Sequence, residues 1–359
     1  GPVLPRLSDE FMLRPNVVGA LMGLSSIGGL LAVLGGWISD KLNKVTVSAF
    51  SMATLALAST TLWLAPSAYA VAFSLALMST SAGFLESAIN SFVSNLYPEK
   101  RGLTVNLLHI GWNVGSALGP SLAALIIVVT GTWRKAYLFP LPALIFISVL
   151  LARLSKIAPK TKSEDPYQHD SVSVSTKSIF KFLPIALTGF FYVGSEMGIS
   201  TWLAFILEGL GSQLLEADLT TGLFWGLMGL GRLVWAPAID KLGYRRSIIT
   251  ASGCVVACMF AAAFVSTLHF KMVLWMLCGF FFAPIFPTLI AWGTSINPSA
   301  GGTVSGLIFT LGTLGLFSSN SSVGMVAAFF GPESAQYVFV FFAIAMFANV
   351  LITHERAKQ

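Results

Sequence analysis

Residues 35–44 read GGWISDKLNK, and residues 236–246 read APAIDKLGYRR. Asp40 and Asp240 are 200 positions apart, and each is followed by Lys-Leu and a short basic turn. Small residues precede both aspartates, and small residues let helices in a membrane pack closely. One such Asp alone would fit an ordinary loop charge. The same pattern at equivalent places in two halves of a chain indicates an internal repeat.

The composition around this repeat is that of a membrane protein. The chain has 359 residues, of which 55% are hydrophobic and 10% are charged, and its mean hydropathy is +0.80. Soluble domains carry about 25% charged residues, so the composition excludes a water-exposed globular surface, and its hydrophobicity excludes disorder. We predict an all-α polytopic membrane protein with about eleven transmembrane helices, each close to the roughly 20 apolar residues that a span needs. The predicted spans are 17–38, 46–66, 69–94, 103–130, 136–154, 179–207, 219–239, 247–267, 271–295, 302–329 and 335–352.

The basic residues predict the orientation of these spans. Fifteen Lys and Arg residues lie in loops or at span ends on one side, five lie on the other side, and Arg232 lies inside a span. The positive-inside rule makes the first side cytoplasmic. We therefore expect a multi-pass protein of the cell (plasma or inner) membrane, surrounded by the lipid bilayer. The net charge of +6 is explained by these loops, so no nucleic acid is expected as a partner.

The repeat resembles the signature that follows the second helix in the major facilitator superfamily of transporters, Gly-x-x-x-Asp-Lys/Arg-x-Gly-x-Lys/Arg. In the first half, Asn43 stands where Gly is usual, and Asn also tolerates left-handed backbone. In the second half, Ala236 replaces the first Gly. The positions that match are Gly36, Asp40, Lys41 and Lys44 in the first half and Asp240, Lys241, Gly243, Arg245 and Arg246 in the second. The resemblance covers essentially the whole chain.

The resemblance implies two pseudo-symmetric six-helix bundles. These would be an N-terminal bundle at 1–154, a polar, Ser-rich cytoplasmic linker at 155–178 and a C-terminal bundle at 179–359. Only five predicted spans precede the linker, so the first helix is expected to be absent, with Gly1 near its outer end. In that family the Asp of the motif caps a neighbouring helix and bonds a basic residue. This implies a gating role for Asp40, Lys41, Asp240 and Arg245.

Charged residues inside predicted spans are candidates for function, since each costs roughly 2.5–3.5 kcal/mol to insert. Glu86 shares a helix face with Asn90, four residues on. In the next span Asn106, His109 and Asn113 form one stripe, with Trp112 beside it. Removing a carboxylate from water favours its protonated form, so Glu86 could exchange a proton with its surroundings. The alternative is a hydrogen-bonded Glu that only locks two helices together.

A second carboxylate, Glu196, shares a helix face with Tyr192 and Ser200. Gly194 and Gly198 would allow this helix to bend or break, as binding helices of transporters do. Pro284 and Pro287 predict a kink in a later span. Glu196 could instead bond across to another helix for packing only. Arg232 lies in a Gly-Arg pair common across the superfamily, so both a bundle role and a ligand role stay open.

Four runs are similar to the fucose permease-like branch of that superfamily: 83–90, 96–99, 106–109 and 192–196. Its members are chiefly proton-coupled sugar symporters, with some sodium-linked glucose carriers. The resemblance implies that Glu86 couples protons. The aromatic face of Trp202 suits the C–H face of a sugar. The expected substrate-binding residues are Asn90, Asn106, His109, Trp112, Asn113, Tyr192, Glu196 and Trp202. His109 and Trp112 depart from the permease, which leaves the particular sugar open.

We therefore expect a monomeric transporter of a small, sugar-like solute that uses protons and alternating access. A proton/drug antiporter is the first alternative, because residues 115–120 partly match Gly-x-x-x-Gly-Pro; Ala123-Ala124 stands where that motif closes with Gly-Gly. A transport-dead sensor or truncated paralogue is the second, and sodium coupling also stays open. No nucleotide-binding, metalloprotease or nucleophile motif is present. We expect no enzyme, no cofactor and no metal site.

Overall fold

The structure, a computed structural model, describes residues 10–12, 27–157 and 180–353. Within these ranges the regular structure is entirely helical. Short 3-10 turns at Pro98–Lys100, Pro298–Ala300 and Pro332–Ala335 precede three of the helices. The α-helices are α1 (Ile27–Lys41), α2 (Lys44–Trp63), α3 (Ala68–Leu96), α4 (Arg101–Thr130), α5 (Lys135–Leu138), α6 (Leu141–Ile157), α7 (Leu183–Gly209), α8 (Leu214–Leu242), α9 (Tyr244–Phe264), α10 (Leu268–Phe282), α11 (Ile285–Ile296), α12 (Gly301–Phe330) and α13 (Gln336–Ile352).

Each predicted span coincides with helix in the described ranges, the first of them only from Ile27 onward. By length and composition, eight helical segments of the described chain can each cross a membrane. The all-α polytopic prediction is confirmed. The bounds differ by several residues at some ends; α8, for example, begins at Leu214 rather than at 219. Most of the predicted linker and most of the chain before Ile27 lie outside the described residues.

The chain divides into two compact units. One comprises residues 1–92, 115–174 and 299–310, and the other comprises 93–114, 175–298 and 311–359. Each unit is thus built mainly from one half of the chain and takes in one segment from the other half. Residues 93–114 bring the start of α4 into the second unit, and 299–310 bring the start of α12 into the first.

The two copies of the repeated motif end their helices in different ways. Asn43 has extended backbone (φ −69°, ψ 122°), and its side chain accepts the backbone N–H groups of Val45 and Thr46 to cap α2. Asn43 therefore does not use the left-handed backbone that Asn tolerates: it serves as an N-cap, for which Asn is well suited. Gly243 has φ +85°, a region that favours glycine.

Two further predictions about helix shape have different outcomes. The predicted kink is confirmed as a break, since α10 ends at Phe282 and α11 begins at Ile285, after Pro284. Of the bend or break that Gly194 and Gly198 would allow, the structure shows no break, because α7 runs on from Leu183 to Gly209. A Cβ on either glycine would overlap Phe342 or Phe339. These glycines therefore permit close packing of α7 on α13.

Candidate functional site

Asp40, in the last turn of α1, caps the start of α12. Its Oδ1 accepts the backbone N–H of Gly302 at 2.7 Å. Its Oδ2 accepts the backbone N–H and the hydroxyl of Thr303 at 2.6 and 2.8 Å. The first N–H groups of a helix lack partners within the helix and carry the positive end of its dipole, so a carboxylate stabilises them. Lys44 Nζ lies 3.4 Å from Oδ1 and partly balances the charge.

Asp240 makes the corresponding contact in the other unit, where it caps the start of α4. Its Oδ1 accepts the backbone N–H of Gly102 at 2.9 Å, and its Oδ2 accepts that of Leu103 at 3.0 Å. Both capped helices follow a 3-10 turn that begins with proline, at Pro98 and at Pro298, again 200 residues apart. The sequence repeat is therefore repeated in the hydrogen bonds that its aspartates make.

The two basic residues expected to join these aspartates have other contacts. Lys41 Nζ lies 3.7 Å from the centre of the Trp37 ring. Arg245 donates to the carbonyl oxygens of Leu351 and Thr353, both at 2.7 Å, at the end of α13. Carbonyl groups at a helix C-terminus attract cations. Arg245 thus holds one helix end while Asp240, five residues earlier, holds another.

Glu86 is half-buried on α3 and is paired with Asn90 one turn later. Asn90 Nδ2 donates to Glu86 Oε2 at 2.9 Å and to the Glu86 carbonyl oxygen at 2.8 Å. Asn90 itself is fully buried. A neutral amide donor hydrogen-bonds the carboxylate without adding a countercharge.

The predicted polar stripe lies on α4. Asn106, His109 and Asn113 are all buried, whereas the Trp112 side chain is 48% exposed. Asn106 Nδ2 donates to the carbonyl oxygen of Gly102 at 2.8 Å, within its own helix. Its Oδ1 is buried without a hydrogen-bond partner among the described residues. The stripe therefore presents unsatisfied polar atoms in an apolar helix.

Tyr192 and Glu196 form a buried pair on α7. The Tyr192 hydroxyl donates to Glu196 Oε1 at 2.8 Å, and the glutamate is 4% exposed. The Tyr192 ring stacks on Phe286, with 5.5 Å between ring centres, and meets the edge of Phe282 at the same distance. The predicted i, i+4 spacing thus places a hydrogen-bonded carboxylate beside a group of aromatic rings.

Arg232, on α8, is the centre of a buried polar cluster in this second unit. It is 3% exposed. Its Nη1 donates to the carbonyl oxygen of His109 and, at 3.0 Å, to Oδ1 of Asn113. It also interacts electrostatically with Tyr192 and Glu196. Arg232 thus connects the stripe on α4 with the pair on α7.

The break between α10 and α11 provides another acceptor for this arginine. In a continuous helix the carbonyl of Ala283 would accept the N–H of residue 287, but Pro287 has none. Arg232 Nε donates to that carbonyl at 3.4 Å. The sequence alone leaves the role of Arg232 open between the helix bundle and a ligand. The sequence does contain a signal for this contact: Pro287 leaves the Ala283 carbonyl without its helical donor, and an Arg inside a membrane needs acceptors.

The predicted aromatic residue Trp202 lies on α7 and bonds another helix. Its Nε1 donates to Asn320 Oδ1 on α12 at 3.0 Å. Nearby on the same helix, the Ser200 hydroxyl accepts Trp225 Nε1 from α8 at 3.1 Å. In the second unit the structure therefore joins His109, Asn113, Tyr192 and Glu196 through Arg232, and joins Trp202 to Asn320 separately.

Comparisons with known proteins agree with this architecture. The family described as Major Facilitator Superfamily matches residues 1–320. The fosmidomycin resistance protein of Escherichia coli (strain K12) is 26% identical over 343 residues, which are 90% of this chain and 83% of that protein. A crystal structure of the transporter FucP in the outward conformation matches with a TM-score of 0.83 at 17% identity, covering 99% of this chain and 94% of the other. A variant of the Escherichia coli fucose:proton symporter FucP matches with a TM-score of 0.80, also at 17% identity, covering 99% and 96%.

Proposed function

This chain belongs to the Major Facilitator Superfamily of transporters, and on that premise we propose that it moves a small, sugar-like solute across the membrane by proton-coupled alternating access. It is a multi-pass membrane protein that binds a small-molecule substrate. Sugar as the solute, protons as the coupling ion, the cell membrane as the location and the monomer as the working form are parts of the proposal.

One observation carries the proposal. The buried cluster of Arg232, Tyr192 and Glu196, with the stripe residues His109 and Asn113, lies on helices whose other charged residues are near their ends. Polar and charged groups inside a membrane are costly and are a sign of a substrate or ion pathway. Hydroxyl groups of a sugar need amide and carboxylate partners, and aromatic rings can cover its C–H faces. The likeness to FucP, named as a fucose:proton symporter, supports both the sugar and the proton.

In this proposal Glu86 exchanges the driving proton. Its carboxylate is half-buried on α3 and bonded to the fully buried Asn90, and it is the group to which we assign proton uptake. Protonation removes a charge from the membrane interior, which lowers the barrier to the conformational change that carries the substrate. Asn90, Asn106, Trp112 and Trp202 complete the proposed substrate-binding set.

The proposed gating residues Asp40 and Asp240 bind the starts of two helices. Asp40 and Asp240 hold the first turns of α12 and α4 through charge-assisted hydrogen bonds. Lys41 and Arg245 add contacts to Trp37 and to the end of α13. We propose that these bonds stabilise the conformation seen here and break in the alternate conformation, so that their strength sets the balance between the two.

Export of a drug in exchange for protons is the second candidate. The identity with the fosmidomycin resistance protein of Escherichia coli over 90% of this chain favours it. A symporter accumulates labelled sugar when the outside is acidified, whereas an antiporter drives its substrate in the opposite direction under the same gradient. The sign of proton-driven flux therefore separates the two candidates.

Purified protein in liposomes with an imposed pH gradient tests the proposal. We expect a labelled sugar to accumulate against its gradient in the wild type. Glu86→Gln is expected to abolish accumulation while it spares exchange of labelled for unlabelled sugar. Glu99→Gln changes an exposed glutamate outside the helices and serves as the matched control. Unchanged accumulation in the Glu86 variant would remove that residue from proton coupling.

A further inference from the structure

We propose that the transported solute carries an oxyanion, a carboxylate or a phosphate, that Arg232 and Asn113 bind, and that Glu196 must be protonated for it to enter. The inference rests on the proposed transport function and specifies the class of solute. It predicts an acidic, hydroxyl-bearing solute, such as a sugar acid or sugar phosphate, in place of a neutral sugar.

The orientation of the Asn113 amide is fixed by its neighbour. A guanidinium group can only donate hydrogen bonds, so the Asn113 atom that Arg232 Nη1 contacts at 3.0 Å must be the oxygen. The amide nitrogen is then the atom that Arg232 does not bond. That nitrogen is buried and has no hydrogen-bond partner among the described residues, and the side chain as a whole is 6% exposed. A buried donor without an acceptor costs about 1–3 kcal/mol.

Some donor groups of Arg232 meet weak or shared acceptors. Its Nη2 carries two N–H groups and lies 3.8 Å from the sulfur of Met228, and its guanidinium also bonds the Tyr192 hydroxyl, which itself donates to Glu196. A thioether is a weak acceptor. One hydrogen bond, from Arg232 Nη1 to Asn113 Oδ1, holds the two side chains together. An oxyanion beside them can accept hydrogen bonds from the guanidinium and from the amide nitrogen. Carboxylate and phosphate groups have the geometry that a guanidinium binds most strongly.

The charges that face Glu196 are few. Its helix, α7, packs against α8, α11, α12, α13 and the 3-10 turn Pro332–Ala335. Helices α11, α12 and α13 contain no Asp, Glu, Lys, Arg or His, and the turn carries Glu333. From α8 it faces Arg232, and on its own helix it bonds Tyr192. His109, on α4, faces Arg232 in turn. The cluster therefore contains one fixed positive charge and one carboxylate.

These charges couple binding of the anion to protonation of Glu196. When Glu196 is ionised it balances Arg232, and an entering anion would leave the cluster with excess negative charge in a medium of low dielectric constant. When Glu196 is protonated, Arg232 is unbalanced and the anion restores neutrality. Glu196 Oε1 can still accept from Tyr192 while the proton is on Oε2. Anion and proton therefore bind together, and anion affinity falls as the pH rises.

Binding to the purified protein in detergent tests the chemistry of the solute. The probes are matched pairs: D-galacturonate with D-galactose, and D-glucose 6-phosphate with D-glucose. We expect the acidic member of a pair to bind about ten- to a hundredfold more tightly, the effect of a charge-assisted hydrogen bond. Tighter binding of galacturonate than of galactose indicates a carboxylate as the bound group, and tighter binding of glucose 6-phosphate than of glucose indicates a phosphate. Arg232→Gln should remove this advantage, so that the acidic and neutral members of a pair bind alike. Neutral sugars that bind as tightly as their acids would overturn the inference.

A second variant tests the proton link without disturbing the fold. Glu196→Gln is close in shape and still accepts from Tyr192. In the wild type, acid affinity should fall by up to about tenfold per pH unit for one linked proton. In Glu196→Gln it should be high and independent of pH. Glu208→Gln alters an exposed glutamate of the same helix and should keep the wild-type slope. A slope that persists in Glu196→Gln would overturn the proton link.

The same preparations separate this inference from the proposed transport function. Proton-driven accumulation of neutral sugars without Arg232-dependent acid binding would overturn the inference and leave the transport proposal standing. Acid binding that depends on Arg232, without flux of any probe in liposomes, would overturn the transport proposal and leave the anion site.

Discussion

Asp240 Oδ1 accepts the backbone N–H of Gly102 at 2.9 Å, across 138 residues of sequence. The second oxygen of the same carboxylate accepts the next N–H of α4, so one side chain satisfies two of the groups that a helix start leaves unpaired. Gly102 permits the approach, since a Cβ there would lie 2.7 Å from Asp240 Oδ1. The contact therefore depends on both residues.

Asp240→Asn should weaken this cap. The amide keeps one acceptor oxygen but loses the other and the negative charge, so we expect a loss of about 1–2 kcal/mol in unfolding free energy. Thermal unfolding in detergent measures it, with Glu208→Gln as a charge-matched control at an exposed site. If gating depends on the cap, the rate of solute exchange should change as well. An unaltered melting temperature together with unaltered exchange would contradict the proposed role.

Gly302→Ala should disturb the equivalent cap in the first unit. A Cβ on Gly302 would overlap Ser39 Oγ and the carbonyl oxygen of Gly36, so the start of α12 would have to move. Overpacking of this kind costs about 1–3 kcal/mol. Gly324→Ala, on the same helix, is the matched control, because a Cβ there meets no described atom within 4 Å. Equal melting temperatures for the two variants would show that close packing at Gly302 is unimportant.

Local sequence signals predicted part of this architecture. The spacing of Asp40 and Asp240 indicated the repeat, apolar runs placed the helices, and Pro284 marked the break. These features depend on side chains close in sequence or on backbone chemistry. The i, i+4 spacing of Tyr192 and Glu196 likewise predicts that the two groups share one helix face, where they form their hydrogen bond.

The partners of Arg232 could not be predicted in the same way. The atoms of His109 and Asn113 that it contacts lie 123 and 119 residues away, and no local periodicity encodes such a pairing. Whether Asn113 presents its oxygen or its nitrogen depends on that contact alone. The close approach of Gly302 to Ser39 and Gly36 likewise depends on how helices pack. The N-cap role of Asn43 could not be predicted either, because a side-chain cap and a left-handed turn both suit Asn at a helix junction.

Asn90→Ala should shift the pH dependence of transport. The Asn90 amide donates to Glu86 Oε2 at 2.9 Å and so favours the ionised carboxylate. Without it the protonated form is favoured, and the pH at which proton-driven uptake is half-maximal should move upward. Ser91→Ala is the control, since the buried Ser91 hydroxyl has no partner among the described residues. A profile that stays in place, or moves to lower pH, would contradict the coupling role of Glu86.

Arg232→Lys separates the charge of this residue from its shape. A lysine ammonium keeps the positive charge but cannot reproduce the planar fork. It therefore cannot reach the carbonyl of His109, Asn113 Oδ1 and the carbonyl of Ala283 together. We expect acid affinity to fall about tenfold, while its dependence on pH remains because the charge that Glu196 balances is still present. Arg232→Gln should lose both affinity and pH dependence. Wild-type affinity in Arg232→Lys, measured by calorimetric titration across pH, would show that charge alone binds the solute.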